Sequence, residues 1–235
     1  IWILKPIAGH SGIDIKIFTK YSDYINYFKN IKLTKYHREG WVLAQYISNP
    51  LLFMERKFHL RVYFLFLTKQ NKASGYILNA GKFFPALKPY TNSNYEDKTI
   101  HDTHYYPEIG FYIFPEEFVN TFGKDKWNFV FEQILDLGHV LFKMIENTRC
   151  WEEVKFGCFE IFGLDIIILD NFKIKLLECN SKVGFGCEDE IKCPKFNSYF
   201  IENYLETAID TMVIPQNKIK KIGGYIDVSN RKISN

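Results

Sequence analysis

The 235-residue sequence predicts a mixed α+β fold whose strands are mostly antiparallel, and three segments carry that prediction. Residues 57–67, KFHLRVYFLFL, alternate with the two-residue period of a strand. Lys57, His59, Arg61 and Tyr63 share one face, and Phe58, Leu60, Val62 and Phe64 share the other. Residues 125–147 place Trp127, Val130, Phe131, Ile134, Leu135 and Gly138 at helical spacing, the pattern of an amphipathic helix. Residues 155–169 and 173–179 are apolar runs around a turn at Asp170 and Asn171, which reads as a hairpin. The short connections favour antiparallel neighbours.

The remaining elements follow in order. Residues 1–5 read as a strand that stops at Pro6, 7–12 as a loop with Gly9 and Gly12, and 13–18 as the returning strand. Residues 22–30 form a short helix with Ser22 as its N-cap. Residues 41–47 are a buried strand ended by Ser48-Asn49-Pro50, and 75–87 a strand running into a loop. Residues 88–104 are polar and turn-rich, longer than a simple connection needs, and loops of that length are commonly functional. Residues 197–213 form a closing helix, and the basic tail beyond Pro215 reads as irregular.

Composition sets broad bounds. A hydrophobic content of 47% and an aromatic content of 17% are enough for a sizeable core. A net charge of +3 permits an acidic or phosphate-bearing partner without requiring one. The five cysteines include no CxxC pair, which argues against a zinc knuckle and fits reduced thiols in the cytoplasm. No apolar run approaches the ~20 residues that span a bilayer. No signal peptide is visible, and the chain starts at Ile1 inside an apolar run, as a fragment of a longer protein would.

Three constellations carry chemistry. In the hairpin, a turn over residues 170–173 sets Leu169 opposite Ile174 and Asp165 opposite Glu178. Glu178 and Asn180 are two residues apart, so Asp165, Glu178 and Asn180 converge on one face. Two carboxylates so close repel unless a cation or proton lies between them, and an oxygen-only donor set suits Mg²⁺ or Mn²⁺ rather than Zn²⁺. A solvated strand face with unrelated acids fits the same spacing. The second constellation is the row Lys57, His59 and Arg61, a cationic face able to meet phosphate, or else a solvated or edge-protecting one. The third is KPIAGHSG, residues 5–12, where a lysine ends a strand before a small-residue loop; such a loop admits phosphate to backbone amides, and a plain hairpin turn reads the same way. Taken together, the three describe a Mg-nucleotide site built between sheets.

The segments WILKPIAGHSGI, QYISNPLLFMERKFHLRVYFL, PYTNSNYEDKTIHDTH and FEIFGLDIIILDNFKIKLLECNS occur in this order and resemble the tubulin-tyrosine-ligase-like family of the ATP-grasp superfamily, over residues 1 to about 213. The resemblance implies an ATP-grasp core over 1–213, two mostly antiparallel sheets with flanking helices sandwiching a nucleotide, and a basic tail over 214–235. It implies ATP and Mg²⁺ as cofactors and an amide-bond-forming ligase. Such a ligase phosphorylates a carboxylate and then lets an amine displace the phosphate. A free amino acid (Glu, Gly or Tyr) would be joined to tubulin or another acidic protein acceptor, in the cytoplasm and in association with the cytoskeleton, with no nucleic acid and no membrane involved. By resemblance, Lys5 contacts phosphate and Gln45, Tyr46 and Ile47 form the hinge beside adenine. Lys57 and Arg61 are the phosphate-side cations, His101 and Thr103 lie near the nucleotide, and Asp165, Glu178 and Asn180 hold Mg²⁺. Arg61, Lys57 and Glu178 form the catalytic set.

The sequence also departs from the family pattern. His59 stands where KFD[IL]R has aspartate, Asp14 replaces a glycine of the phosphate loop, and Ala44 replaces the glutamine before the hinge. Phe84 lies at or near a family arginine, and HDTH replaces HLTN at residues 101–104. The family's N-terminal domain and a further nucleotide-contacting lysine precede the matched region. Two readings fit: a ligase with altered specificity, or a catalytically impaired nucleotide-binding pseudoenzyme acting as an interaction module. A ligase acting on a small molecule is a third.

Overall fold

The computed structural model describes residues 1–8, 12–104, 112–153, 157–181, 183, 199, 201–209 and 224–233. The chain divides into two compact units, residues 1–58 with 84–111, and residues 59–83 with 112–235.

In the first unit β1 (Trp2–Pro6) is the central strand of a three-stranded antiparallel sheet, flanked by β2 (Lys16–Phe18) and β3 (Trp41–Gln45). Pro6 closes β1 instead of ending it, because its missing N–H costs nothing at a strand terminus. The returning strand is shorter than its alternation suggested, since Asp14 takes a left-handed turn at φ 58°. Helix α1 (Tyr21–Asn30) has Lys20, not Ser22, at its N-cap, and Ser22 Oγ bonds Asp23 instead. Tyr24, Tyr27 and Phe28 share one face of α1 and pack on Phe18 and Trp41. Strand β3 is not the buried strand its composition suggested: Val42 is 46% exposed and Leu43 45%. A two-residue turn with left-handed Met54 and Glu55 joins β4 (Leu52–Phe53) to β5 (Arg56–Lys69). The long polar segment 88–104 is hydrogen-bonded to its own unit: Tyr90 N–H donates to Glu55 O, its hydroxyl donates to Ser48 O, and it contains the short helix α2 (Lys98–His101).

The second unit is built on an antiparallel sheet in which β6 (Lys72–Pro85), β5, β8 (Phe159–Ile168) and β9 (Ile174–Asn180) are successive neighbours. β7 (Tyr112–Phe114) pairs with β6, as does β10 (Tyr225–Asp227). The tail is therefore not irregular throughout: Tyr225 and Val228 are buried, and these two anchors seat β10 on the sheet. Helix α3 (Glu116–Phe122), absent from the sequence reading, precedes α4 (Lys124–Thr148). Of the predicted helix 197–213, the described part holds helical residues 201–204 and a wider π turn at Leu205–Ile209; the rest lies outside the described residues.

The two faces of β5 lead to different layers. Phe66, on the even-numbered face, meets Phe142 of α4. Gly138 lets α4 approach closely, because a Cβ there would lie 2.6 Å from Ile77. The odd-numbered residues Tyr63, Leu65 and Leu67 join Tyr76, Leu78, Ile161, Ala208 and Tyr225 in a separate buried cluster. Arg61 continues that second face.

Candidate active site

In the second unit three strands place one residue each in a row. Arg61 of β5 pairs with Asp165 of β8, and Asp165 pairs with Glu178 of β9. Arg61 grips the carboxylate with both arms, Nε to Oδ1 at 2.5 Å and Nη2 to Oδ2 at 2.9 Å. Burial works against the guanidinium's charge, but the bonds and charge of Asp165 outweigh it and raise its pKa. Asn180 Nδ2 donates to Asp165 Oδ2 at 3.3 Å and to Glu178 Oε1 at 2.9 Å, which ties the amide and both carboxylates together. His59 Nε2 lies 3.7 Å from Asp165 Oδ1. Gly163, two residues before Asp165 on β8, makes this row possible. A Cβ there would stand 3.1 Å from Arg61 Cδ and 3.3 Å from Nε, tighter than a guanidinium pinned by two bonds tolerates.

The convergence of Asp165, Glu178 and Asn180 arises by a different route from the one the spacing suggested. At the turn Ile168, not Leu169, faces Ile174, one residue out of the expected register. A bulge then intervenes. Ile166 pairs with Leu176 but Asp165 with Glu178, so Leu177 is the extra residue and the expected acid pair is restored. Without that bulge Glu178 would meet Leu164, on the opposite face from Asp165. Gln133 of α4 fixes the turn end, donating to Phe172 O at 2.9 Å and accepting from Ile174 N at 3.3 Å.

The donors fit a hard dication: two carboxylates and an amide oxygen. Among the described residues no group of three or more His, Cys, Asp and Glu is arranged to hold a metal ion. The cluster joins two acids and Asn180, and Asp165 is also bonded to Arg61.

In the first unit the second group centres on Lys57, which is 8% exposed. Its Nζ donates to His101 O at 3.1 Å and to the Tyr46 hydroxyl at 3.4 Å, and lies 4.7 Å from the centre of that ring. Burial pushes its pKa down to about 8; Asp102 opposes the shift and Lys5 adds to it. His101 Nε2 contacts Ser93 O at 3.1 Å and Nδ1 contacts the Tyr46 hydroxyl at 2.9 Å. A neutral ring with the proton on Nε2 satisfies both contacts, and burial lowers the imidazole pKa accordingly. Tyr95 stacks on that ring at 5.0 Å. Thr103 is buried, Gln45 is exposed, Lys5 and Ile47 are half-buried, and Lys5 pairs with Val42 across β1 and β3.

Asp14 does not stand as a bare carboxylate by the phosphate loop. Its Oδ2 accepts from Nε2 of buried His37 at 3.1 Å, while His37 Nδ1 accepts from Thr34 N at 3.0 Å and the ring stacks on Trp41. Residues 9–11 of that loop lie outside the described residues. One buried cation escaped the sequence reading. Lys82 of β6 is 3% exposed, its pKa pushed down to about 8 by burial and by the charge of Arg61.

A family profile described as "Tubulin-tyrosine ligase family" matches residues 1–106 and 114–220. The chain belongs to the tubulin-tyrosine ligase family. Among relatives within this family, a protein named probable tubulin polyglutamylase ttll-9 from Caenorhabditis elegans is 26% identical over 194 residues, covering 77% of this chain and 45% of that protein. Tubulin glycylase 3D from Tetrahymena thermophila is 25% identical over 236 residues, covering 94% of this chain and 22% of the relative. The protein named probable tubulin polyglutamylase TTLL9 from Bos taurus is 22% identical over 273 residues, covering 95% and 57%. The chain thus spans less than two thirds of the length of each of these tubulin-tyrosine ligase family relatives.

Proposed function

We propose that this chain is the ligase core of an ATP-dependent carboxylate–amine ligase that joins a free amino acid to a protein acceptor, tubulin being the acceptor its relatives' names suggest. One observation carries the reading: the row Arg61–Asp165–Glu178 with Asn180 bonded to both acids, in a member of this family. Residues 1–213 form the proposed core, which the strand at Tyr225–Asp227 extends at the sheet edge. The sandwiching of a nucleotide between two sheets is part of the same proposal.

In this reading a substrate carboxylate takes the γ-phosphoryl group of ATP, and an amine then attacks the acyl carbon and releases phosphate. Phosphoryl transfer of this kind is catalysed chiefly by positioning and charge neutralisation. Arg61 holds a fixed guanidinium for the transferring phosphoryl group, and Lys57 and Lys5 supply phosphate contacts. Gln45, Tyr46 and Ile47 flank the base, with His101 and Thr103 beside the nucleotide. Asp165, Glu178 and Asn180 would hold Mg²⁺, which when bound neutralises phosphate charge. No helix among the described residues is long and apolar enough to cross a membrane, and association with the cytoskeleton follows the acceptor.

Two measurements test this. In Glu178→Gln, ATP affinity in the presence of Mg²⁺ falls about tenfold or more while Mg²⁺-free affinity changes little; loss of one charged metal ligand is worth at least one such factor. Equal affinity and equal metal dependence in both proteins would remove the metal assignment. Incubating the full-length protein with tubulin, ATP and labelled Glu, Gly or Tyr gives acceptor labelling. Tight ATP binding without any labelling would favour the pseudoenzyme, the reading that the His59 departure keeps in play.

A further inference from the structure

We infer that His37 is a positioning residue that mounts both ends of the small-residue loop, and that its bond to Asp14 keeps that carboxylate from opposing a bound phosphate. The mount stands on geometry within the first unit; its consequence for nucleotide rests on the proposed function.

The loop leaves β1 at Ile7 and ends in the turn Gly12–Ile15, where Ile15 N–H donates to Gly12 O at 3.4 Å. The third residue of that turn is Asp14, at φ 58°. Glycine is the default where a turn needs a positive φ at its third position, so an aspartate there needs a compensating contact. The contact comes from the single helical turn Lys35–His37. His37 Nε2 lies 3.1 Å from Asp14 Oδ2, and the His37 side chain is 2% exposed. The other ring nitrogen fixes where the proton lies. Nδ1 accepts the Thr34 backbone N–H at 3.0 Å, so it holds a lone pair. The ring's proton is therefore on Nε2, which donates it to Asp14. The ring stacks on Trp41 with centres 4.4 Å apart, and turning it over would put carbon at both polar contacts.

The same residue reaches the loop's other end through the backbone. The His37 carbonyl accepts from Gly40 N–H at 3.2 Å, and the Gly40 carbonyl accepts from Ile7 N–H at 3.0 Å. Residues 7 and 14 are thus both carried by the segment 34–40. A second segment seats the turn from another side: Lys98 Nζ donates to Gly12 O at 3.2 Å, and Asp102 fills the space that a Cβ on Gly12 would take. Leu4 pairs with Lys16 across β1 and β2, so Lys5 and Asp14 stand at the same end of that hairpin. Lys5 is a phosphate contact in the proposed function. A carboxylate loose at that end would repel the anion Lys5 attracts, whereas one bonded to His37 has a fixed direction.

Variants at two positions separate this role from plain packing. His37→Phe keeps a ring for Trp41 and loses both polar contacts; His37→Gln keeps a donor for Asp14. Hydrogen exchange without nucleotide reads the mount. In His37→Phe the Ile15 N–H exchanges about tenfold faster than in the unaltered protein, the worth of about one hydrogen bond, and His37→Gln recovers most of the difference. Ring ¹⁵N shifts of His37, identified by their loss in His37→Gln, show one tautomer with its proton on Nε2. Unchanged exchange in His37→Phe, or a ring that samples both tautomers, overturns the inference. The ring measurement decides it if His37→Phe does not fold. With ATP, His37→Phe loses about tenfold in affinity, the scale of one like charge at surface screening, and Asp14→Gly added to the same chain restores it. A loss that persists in the double variant overturns the action through Asp14. An unaltered protein that binds no ATP strikes the proposed function, and the exchange and ring readings still decide the mount.

Discussion

Lys57 and Arg61 stand four residues apart on β5, yet each unit treats its cation differently. Arg61 is gripped by a carboxylate in two-armed geometry and is held in its charged form. Lys57 has a carbonyl and a phenol, and its charge is held at a cost. The first arrangement is a fixed structural charge. The second is a buried charge held by two neutral acceptors. The side chains suit these roles: a guanidinium scarcely loses its proton, whereas an ammonium titrates readily once buried.

The largest effect should come from breaking the fixed pair. Arg61→Met leaves Asp165 buried without its partner, which costs about 3–5 kcal/mol, and chemical denaturation should show that loss. A stability change under about 1 kcal/mol would mean that the pair is solvated in solution and that the contrast with Lys57 is weaker than the geometry indicates.

Lys57→Met should go the other way. Below about pH 8 the folded and unfolded states both carry the proton, and the fold bears the whole cost of burying the charge. Between about pH 8 and the ordinary lysine range the unfolded chain holds more protons than the folded one, so stability rises with pH. The unaltered protein should therefore gain on the order of 3 kcal/mol relative to Lys57→Met across that interval. At pH 7 the variant should be at least as stable, while its ATP affinity falls. Parallel stability–pH curves for the two proteins would contradict the assignment of a strained charge at 57.

His59→Asp is the subtlest probe. It sets a second carboxylate beside Asp165 and should lower stability by about 1–2 kcal/mol without nucleotide. Added Mg-ATP should recover most of that, read as a larger ligand-induced shift in melting temperature than the unaltered protein shows. If the shift is no larger, residue 59 does not face the proposed metal.

Much of this was legible in the sequence because it depends on period. The alternation at 57–67 and the helical spacing at 125–147 describe β5 and α4 to within a residue or two, since burial of one face decides each. Where burial fails as a guide, the reading failed. β3 is apolar in composition but exposed, and α1 starts one residue early without the serine cap. β10 was hidden because two apolar anchors, Tyr225 and Val228, sit in a basic stretch whose overall character says tail. At the site, Arg61 and Asp165 were each picked out, but their mutual bond was not, because only the register across β5 and β8 brings them together. The Asp14–His37 pair was equally invisible, joining residues far apart in sequence. Lys82 was passed over because one lysine in an apolar strand gives no sign of which layer it enters.

The extra residue at Leu177 has a wider meaning. It resets the phase of β9 midway, so the same odd–even position that is greasy near the turn becomes acidic at the far end. Ile174, Leu176, Glu178 and Asn180 all share one parity, yet the first two sit opposite buried isoleucines and the last two opposite Asp165 and Gly163. The hairpin can thus drift in its apolar half, lengthening or shortening its turn, provided the kink absorbs the change. The counting error it corrects is the one that would otherwise turn the Asp165–Glu178 edge inside out.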